Sequence, residues 1–310
     1  MIKKSSSRIM FEVFNGVFMT ALVAVTLYPL LYVMLASFSE PVRFISHKGF
    51  LLRPLGFSTV AYKRAFDHPM IASGFKNTFF IIIVGGALSV LLTSIGAYFM
   101  SRKNLMLRKP ISFMIIFTMF FGGGLIPFYF AVRNFTIFIP WIVNGAFVFK
   151  ALNIYNTLFA VIIPVCINTY NLIVLRTGFM SIPDSIEESA KIDGAGHLTV
   201  LFKIIMPLAK ANIAVITLYY GVGYWNSWFN ASIFLADNTL HPLQLVLRQI
   251  LLINSADSSM IAGVDVSDRL AVGETIKYAS IVIATVPILF VYPLLQKYFV
   301  KGVMVGAVKG

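Results

Sequence analysis

Asn77-Thr78-Phe79-Phe80-Ile81-Ile82-Ile83-Val84-Gly85-Gly86-Ala87-Leu88-Ser89-Val90-Leu91-Leu92-Thr93-Ser94-Ile95-Gly96-Ala97-Tyr98-Phe99-Met100 passes from end to end without a charged side chain. At about 1.5 Å per residue, a helix of this length crosses the roughly 30 Å of a bilayer's hydrocarbon. Its apolar residues are continuous and do not alternate with period two, which indicates a helix and not a barrel strand. Five further runs read the same way, at approximately 11–38, 111–131, 158–175, 211–235 and 278–299. The first is too long for a signal-peptide core, and no small-residue cleavage site follows at Tyr28-Pro29-Leu30, so it is expected to remain as the first span.

Composition agrees. Of 310 residues, 58% are hydrophobic and only 12% charged, and the mean hydropathy is +0.85. A water-soluble domain carries roughly 25% charged residues, so lipid must supply part of the solvent. The net charge of +13 does not point to nucleic acid, because the basic residues cluster beside the apolar runs. With an even number of spans, Lys3, Lys4 and Arg8 share a side with Lys297, Lys301 and Lys309. They join Arg102, Lys103, Arg108 and Lys109 of a tight loop, and Arg176, Lys191, Lys203 and Lys210 of a longer one. Fourteen of the 25 basic residues then fall inside, and both termini are expected in the cytoplasm. Thr136 to Phe149 is too short for a span and is broken by Pro140 and Gly145. It is expected as an interfacial or re-entrant piece on the outer face, with Trp141 at the headgroup level.

No span carries an acidic or basic residue near its centre; Glu12, Lys76, Glu274 and Lys277 sit near ends, and His47, His68, His197 and His241 fall in loops. Ion-coupled transporters usually keep such groups as relays, so any energy should enter from outside the bilayer. No zinc-protease, nucleophile-elbow or phosphate-loop motif occurs. Cys166, the only cysteine, excludes an intrachain disulfide and reads as a buried inert thiol.

The loop between the fourth and fifth runs, about 181–207, reads Ile182-Pro183-Asp184-Ser185-Ile186-Glu187-Glu188-Ser189-Ala190-Lys191-Ile192-Asp193-Gly194-Ala195-Gly196-His197, then Ile204-Ile205-Met206-Pro207. Pro183, Asp184, Glu187 and Glu188 suit a helix N-terminus, and Gly194 suits a left-handed end. A second short helix from about His197 to Met206 should stop where Pro207 opens the fifth span. Small residues at Ser189, Ala190, Gly194, Ala195 and Gly196 leave a knob able to enter a partner's groove.

This loop resembles the permease signature of binding-protein-dependent ABC importers: Glu-Ala-Ala, three residues, Gly, nine residues, Ile-x-Leu-Pro. Glu188, Ala190, Gly194, Ile204 and Pro207 fall on its positions, while Ser189 and Met206 replace an alanine and the leucine. The ending Tyr292-Pro293-Leu294-Leu295-Gln296-Lys297-Tyr298-Phe299 is similar to permeases of the maltose class. Trp225-Asn226-Ser227-Trp228-Phe229 and Gly123-Gly124-Leu125-Ile126-Pro127 resemble them too, within the branch serving complex oligosaccharides. About 15 residues around Thr136 to Lys150 look inserted relative to that pattern.

The resemblance implies an all-α membrane protein of about six transmembrane helices, forming a single domain over 1–310. It would be a non-catalytic, multi-pass subunit in the bacterial plasma (inner) membrane. A second, homologous permease subunit would complete the oligosaccharide path, and a periplasmic or extracellular sugar-binding protein would deliver substrate. Two ATPase subunits would carry ATP and magnesium, with no cofactor on this chain. Glu187, Glu188, Ser189, Ala190, Asp193, Gly194, Ala195, Ile204 and Pro207 would form the ATPase-coupling element.

For the substrate path, sugars need aromatic faces and amide or hydroxyl partners. The fifth run offers Tyr219, Tyr220, Tyr224, Trp225, Asn226, Trp228, Phe229 and Asn230. Asn226 and Asn230, one turn apart, should face protein and not lipid. An aromatic belt with helix-packing asparagines is the alternative reading. Gly123 and Pro127, with Gly122 and Gly124, suggest a broken third helix near an outer gate, or else close helix packing. A six-span passive channel or facilitator stays open as another class, although it has no need of the Glu188–Gly194–Pro207 loop.

Overall fold

A computed structural model describes residues 5–102, 107–143, 146–260, 273–290 and 293. Apart from one two-stranded hairpin and an isolated bridge, the regular secondary structure among these residues is helical. Three helices are long and apolar enough to cross a membrane: α1 (Ser6–Ser37), α4 (Pro69–Ser101) and α14 (Gly273–Phe290). Short helices α2 (Pro41–Ser46) and α3 (Val60–Phe66) follow α1. Three more spans arise if each of three bent helix pairs crosses once.

The third run consists of α5 (Arg108–Phe120) and α6 (Leu125–Arg133), bent by 114°. Gly124 adopts φ +84° at the break, a conformation costly for a residue with a Cβ. The fourth consists of α7 (Leu158–Val165) and α8 (Thr169–Met180), bent by 51° around Asn168. It reaches five residues beyond the sequence limit at Leu175.

The fifth run differs more. A helix His197–Leu208 (α10) meets Lys210–Trp225 (α11) at 88°, so the second coupling helix passes Pro207 before turning. Pro207 thus stands in the last turn of α10, one residue before its end. The run then breaks again at Asn226–Ser227 before α12 (Trp228–Phe234). Helix α13 (Leu243–Met260) follows. Of the sixth run, 291, 292 and 294–299 lie outside the described residues.

Thr136–Val143 (β1) and Ala146–Asn153 (β2) pair antiparallel, from Thr136 opposite Asn153 to Val143 opposite Ala146. The segment expected as interfacial or re-entrant is thus a hairpin. Its β-branched and aromatic residues favour pairing over a helix too short to span.

Two compact units form, 1–69 with 247–286 and 70–246 with 287–310. In the first, Ala36, Phe44 and Leu51 form a small core with Tyr32 and Tyr278. Most apolar side chains of α1 are exposed, as expected of a helix whose solvent is lipid. In the second, α4 is central. Its Asn77 Nδ2 donates to the Thr239 and His241 carbonyls at 2.8 and 3.2 Å. Its Ala97 packs with Leu175, Phe179, Leu201, Ile205 and Ile216. A π-helical turn interrupts α4 at Ile81–Gly85 without ending it.

Candidate functional site

Two places in the second unit hold the residues singled out above. The first is the pair formed by α9 (Asp184–Ile192) and α10. Asp184 and Glu187 occupy the first turn of α9 and Lys191 its last, the order that favours the helix dipole. Past its end, the Gly194 N–H donates to the Lys191 carbonyl at 3.0 Å and the Ala195 N–H to the Ala190 carbonyl at 2.9 Å. With Gly194 at φ +81°, this is a Schellman closure. Ala190 and Ala195 both pack on the core beneath it.

The two glutamates part company. Glu188 is exposed, whereas Glu187 is 4% exposed. The Tyr98 hydroxyl donates to Glu187 Oε1 at 3.0 Å, Lys191 Nζ lies 2.9 Å from the same oxygen, and Arg102 Nη1 donates to Oε2. The Arg102 guanidinium also sits 5.0 Å from the centre of the Tyr98 ring, within cation–π range. Burial pushes the Glu187 carboxyl up, but Lys191, Arg102 and Tyr98 outweigh it and hold it below the ordinary value. The carboxylate thus ties α9 to the end of α4. A cavity of about 680 Å³ lies beside the tie, lined also by Asp184, His197 and Leu198.

Ser189, Asp193 and Pro207 are exposed and Ile204 is half-buried. The tip presents Ile192, 87% exposed, and Leu198, 64% exposed. Apolar side chains left open on a charged loop suit a partner's groove. Tyr98 and Arg102 escaped the sequence reading, because nothing local in the α4 end marks them as partners of a residue so distant along the chain.

The second place is a cavity of about 290 Å³ where the fourth and fifth runs both break. Tyr219, Tyr220, Tyr224, Asn226, Phe229 and Asn230 line it. Trp225 is buried elsewhere, Trp228 packs against the core, and Gly123 and Pro127 lie exposed at the third run's break; none of these four lines the cavity. Asn168, Asn171 and Ser227 line it as well and were missed. Their signal was polar residues in the interior of otherwise apolar runs.

Two tyrosines hold the break open. The Asn168 N–H donates to the Tyr220 hydroxyl at 2.9 Å, and the Tyr224 hydroxyl donates to the Ile162 carbonyl at 3.3 Å. Backbone groups freed by the bend are thereby paired, as an apolar surrounding demands. Each hydroxyl is anchored to α4 in turn, Tyr220 to Thr93 at 2.7 Å and Tyr224 to Ser89 at 2.8 Å. Discontinuous helices with satisfied ends are where membrane transporters place polar solutes.

Residues 94–305 match the family model described as "Binding-protein-dependent transport system inner membrane component". The chain is 38% identical over 298 residues to the polygalacturonan/rhamnogalacturonan transport system permease protein YtcP of Bacillus subtilis strain 168, covering 96% of this chain and 97% of that one. It is 36% identical over 300 residues to protein LplC of the same organism, covering 97% and 95%. Among solved structures, it matches a bacterial ABC transporter involved in the import of the acidic polysaccharide alginate, with a TM-score of 0.81 and 29% identity. That match covers 96% of this chain and all of the other.

Proposed function

We propose that this chain, which belongs to the family of inner membrane components of binding-protein-dependent transport systems, forms half of an oligosaccharide path driven by a separate ATPase. Saccharide as cargo is supported by the names of its relatives and by the tyrosines and carboxamides gathered at the helix breaks. A second permease subunit supplies the other half, and a binding protein delivers the sugar. ATP and magnesium belong to two ATPase subunits docked from the cytoplasm, the side on which both termini lie.

The observation that carries this reading is the closed pair of α9 and α10, with exposed Ile192 and Leu198 at its tip and buried Glu187 at its root. Glu188, Ser189, Asp193 and Gly194 stand on the outward side for a partner to read; Ala190 and Ala195 brace it from within, and Ile204 is half-buried.

Two variants test the docking. Gly194→Val puts a β-branched residue at φ +81°, at a cost of about 1–2 kcal/mol. Because a Cβ there meets nothing within 4 Å, the cost is one of conformation and not of crowding. Glu188→Lys reverses an exposed charge at the interface. Both should reach the membrane at normal levels, yet lose copurified ATPase and cut uptake about tenfold or more. Unchanged copurification and uptake in both would favour the passive channel. Orientation is tested separately: with Cys166 replaced, a cysteine at Lys309 should resist an impermeant reagent in intact cells. Labelling from outside would invert the topology.

A further inference from the structure

We infer that the 290 Å³ cavity at the helix breaks holds a single uncharged sugar ring, so that this subunit's half of the path disfavours carboxylated units. The inference rests on the saccharide reading above and narrows its chemistry. One buried hydroxyl there has no hydrogen-bond partner among the described residues, and two carboxamides stand beside it. Asn171 is 5% exposed and lines the cavity. The Ser227 hydroxyl is buried without a partner, and Asn230, half-buried, lines the same cavity. Unpaired buried groups of this kind are rare in folded proteins, because each forfeits its hydration. They are expected where a bound solute or water completes them.

What they offer is specific. Carboxamides and a hydroxyl both donate and accept, which matches ring hydroxyls that do the same. Phe229 and Tyr219 supply aromatic surface on the same wall, suited to the C–H face of a ring. None of the described lining residues is charged. A carboxylate brought here would be desolvated with no cation to meet it, which is strongly opposed. The volume lies at the low end of ligand pockets, which run from about 300 to 1,000 Å³, enough for one ring and not for a chain. Acidic units of a longer saccharide would have to be met outside this cavity.

The test uses the assembled complex in lipid nanodiscs without its binding protein, at pH 7. Binding of methyl β-galactopyranoside is compared with that of methyl β-galacturonopyranoside by saturation-transfer NMR titration. The galactoside should bind about tenfold or more tightly than the uronide, and Asn171→Leu or Ser227→Ala should weaken it several-fold. Asn230→Arg should erase or reverse the preference. Copurified ATPase confirms that each variant is assembled. A wild-type complex that binds the uronide equally or better overturns the uncharged-ring inference but leaves the saccharide path standing. No binding of either probe, or binding indifferent to all three substitutions, removes the cavity from the path and overturns both.

Discussion

Glu187→Lys is expected to abolish ATP-driven uptake while leaving membrane insertion intact. The side chain is buried against Arg102, Lys191 and Tyr98, so the substitution places a third cation between two. Breaking a buried ion pair costs about 3–5 kcal/mol, since the surviving charges keep no partner. Helix α9 should come away from the end of α4, so that docking no longer moves the spans. ATPase copurification should fall less than uptake, because the exposed tip is unaltered. Glu187→Gln, which keeps the shape and the Tyr98 contact, should retain part of the uptake. The same tie has a pH signature. Its carboxyl is held below the ordinary value in the folded protein. Its contribution is therefore complete above the unfolded carboxylate value of about 4.3 and is lost as pH falls through the folded one. Thermal unfolding of the purified complex on the acid side should accordingly depend on pH less steeply in Glu187→Gln. Uptake within twofold of normal in Glu187→Lys would show that α9 transmits without this contact.

Gly85→Val should destabilise the second unit sharply. A Cβ at Gly85 would lie 2.9 Å from Cζ of Tyr224 and 3.2 Å from Cγ1 of Ile162. The tyrosine cannot step aside without breaking its bonds to Ser89 and to the Ile162 carbonyl. Overpacking of this kind costs about 1–3 kcal/mol, and each buried group left unpaired adds about 1–3 kcal/mol. The neighbouring Gly86→Ala meets nothing within 4 Å and is the control. Tyr224→Phe should lie between them, losing hydrogen bonds and keeping the packing. Thermal unfolding of the purified complex ranks the three, and a Gly85→Val protein as stable as Gly86→Ala would mean that Tyr224 is not held in place.

The positions of the spans are legible because lipid demands long uncharged helices, and α4 meets that demand over its whole length. The breaks are less legible. Gly122 to Gly124 signal one at the third run, and Pro164, in the 3-10 turn that ends α7, signals another just before Asn168; Asn226–Ser227 contains neither glycine nor proline. The Asn168 N–H freed at its bend is met by Tyr220 of the fifth run, a tertiary partner with no local signature. The hairpin carries a signal that hydropathy alone overlooks. Asn144-Gly145 stands between two runs of β-branched and aromatic residues, the commonest short-turn dipeptide for such pairs. Of the two glutamates at the docking end, the motif spacing selects Glu188. Burial of Glu187 follows from the distant Tyr98 and Arg102, which no spacing rule connects to it.

Helix α4 has one continuous backbone from Ser89 and Thr93, which grip the cavity's two tyrosines, to Tyr98 and the flanking Arg102, which grip Glu187. Ser89 and Tyr98 stand nine residues apart, roughly 14 Å along an α-helical axis. The π-helical turn at Ile81–Gly85 lies on the far side of Ser89, so no irregularity falls between the two grips. That stretch is a connecting rod with no joint in it. If the proposed docking of α9 displaces that end of α4, an unbroken helix would carry the displacement to the two tyrosines at the cavity.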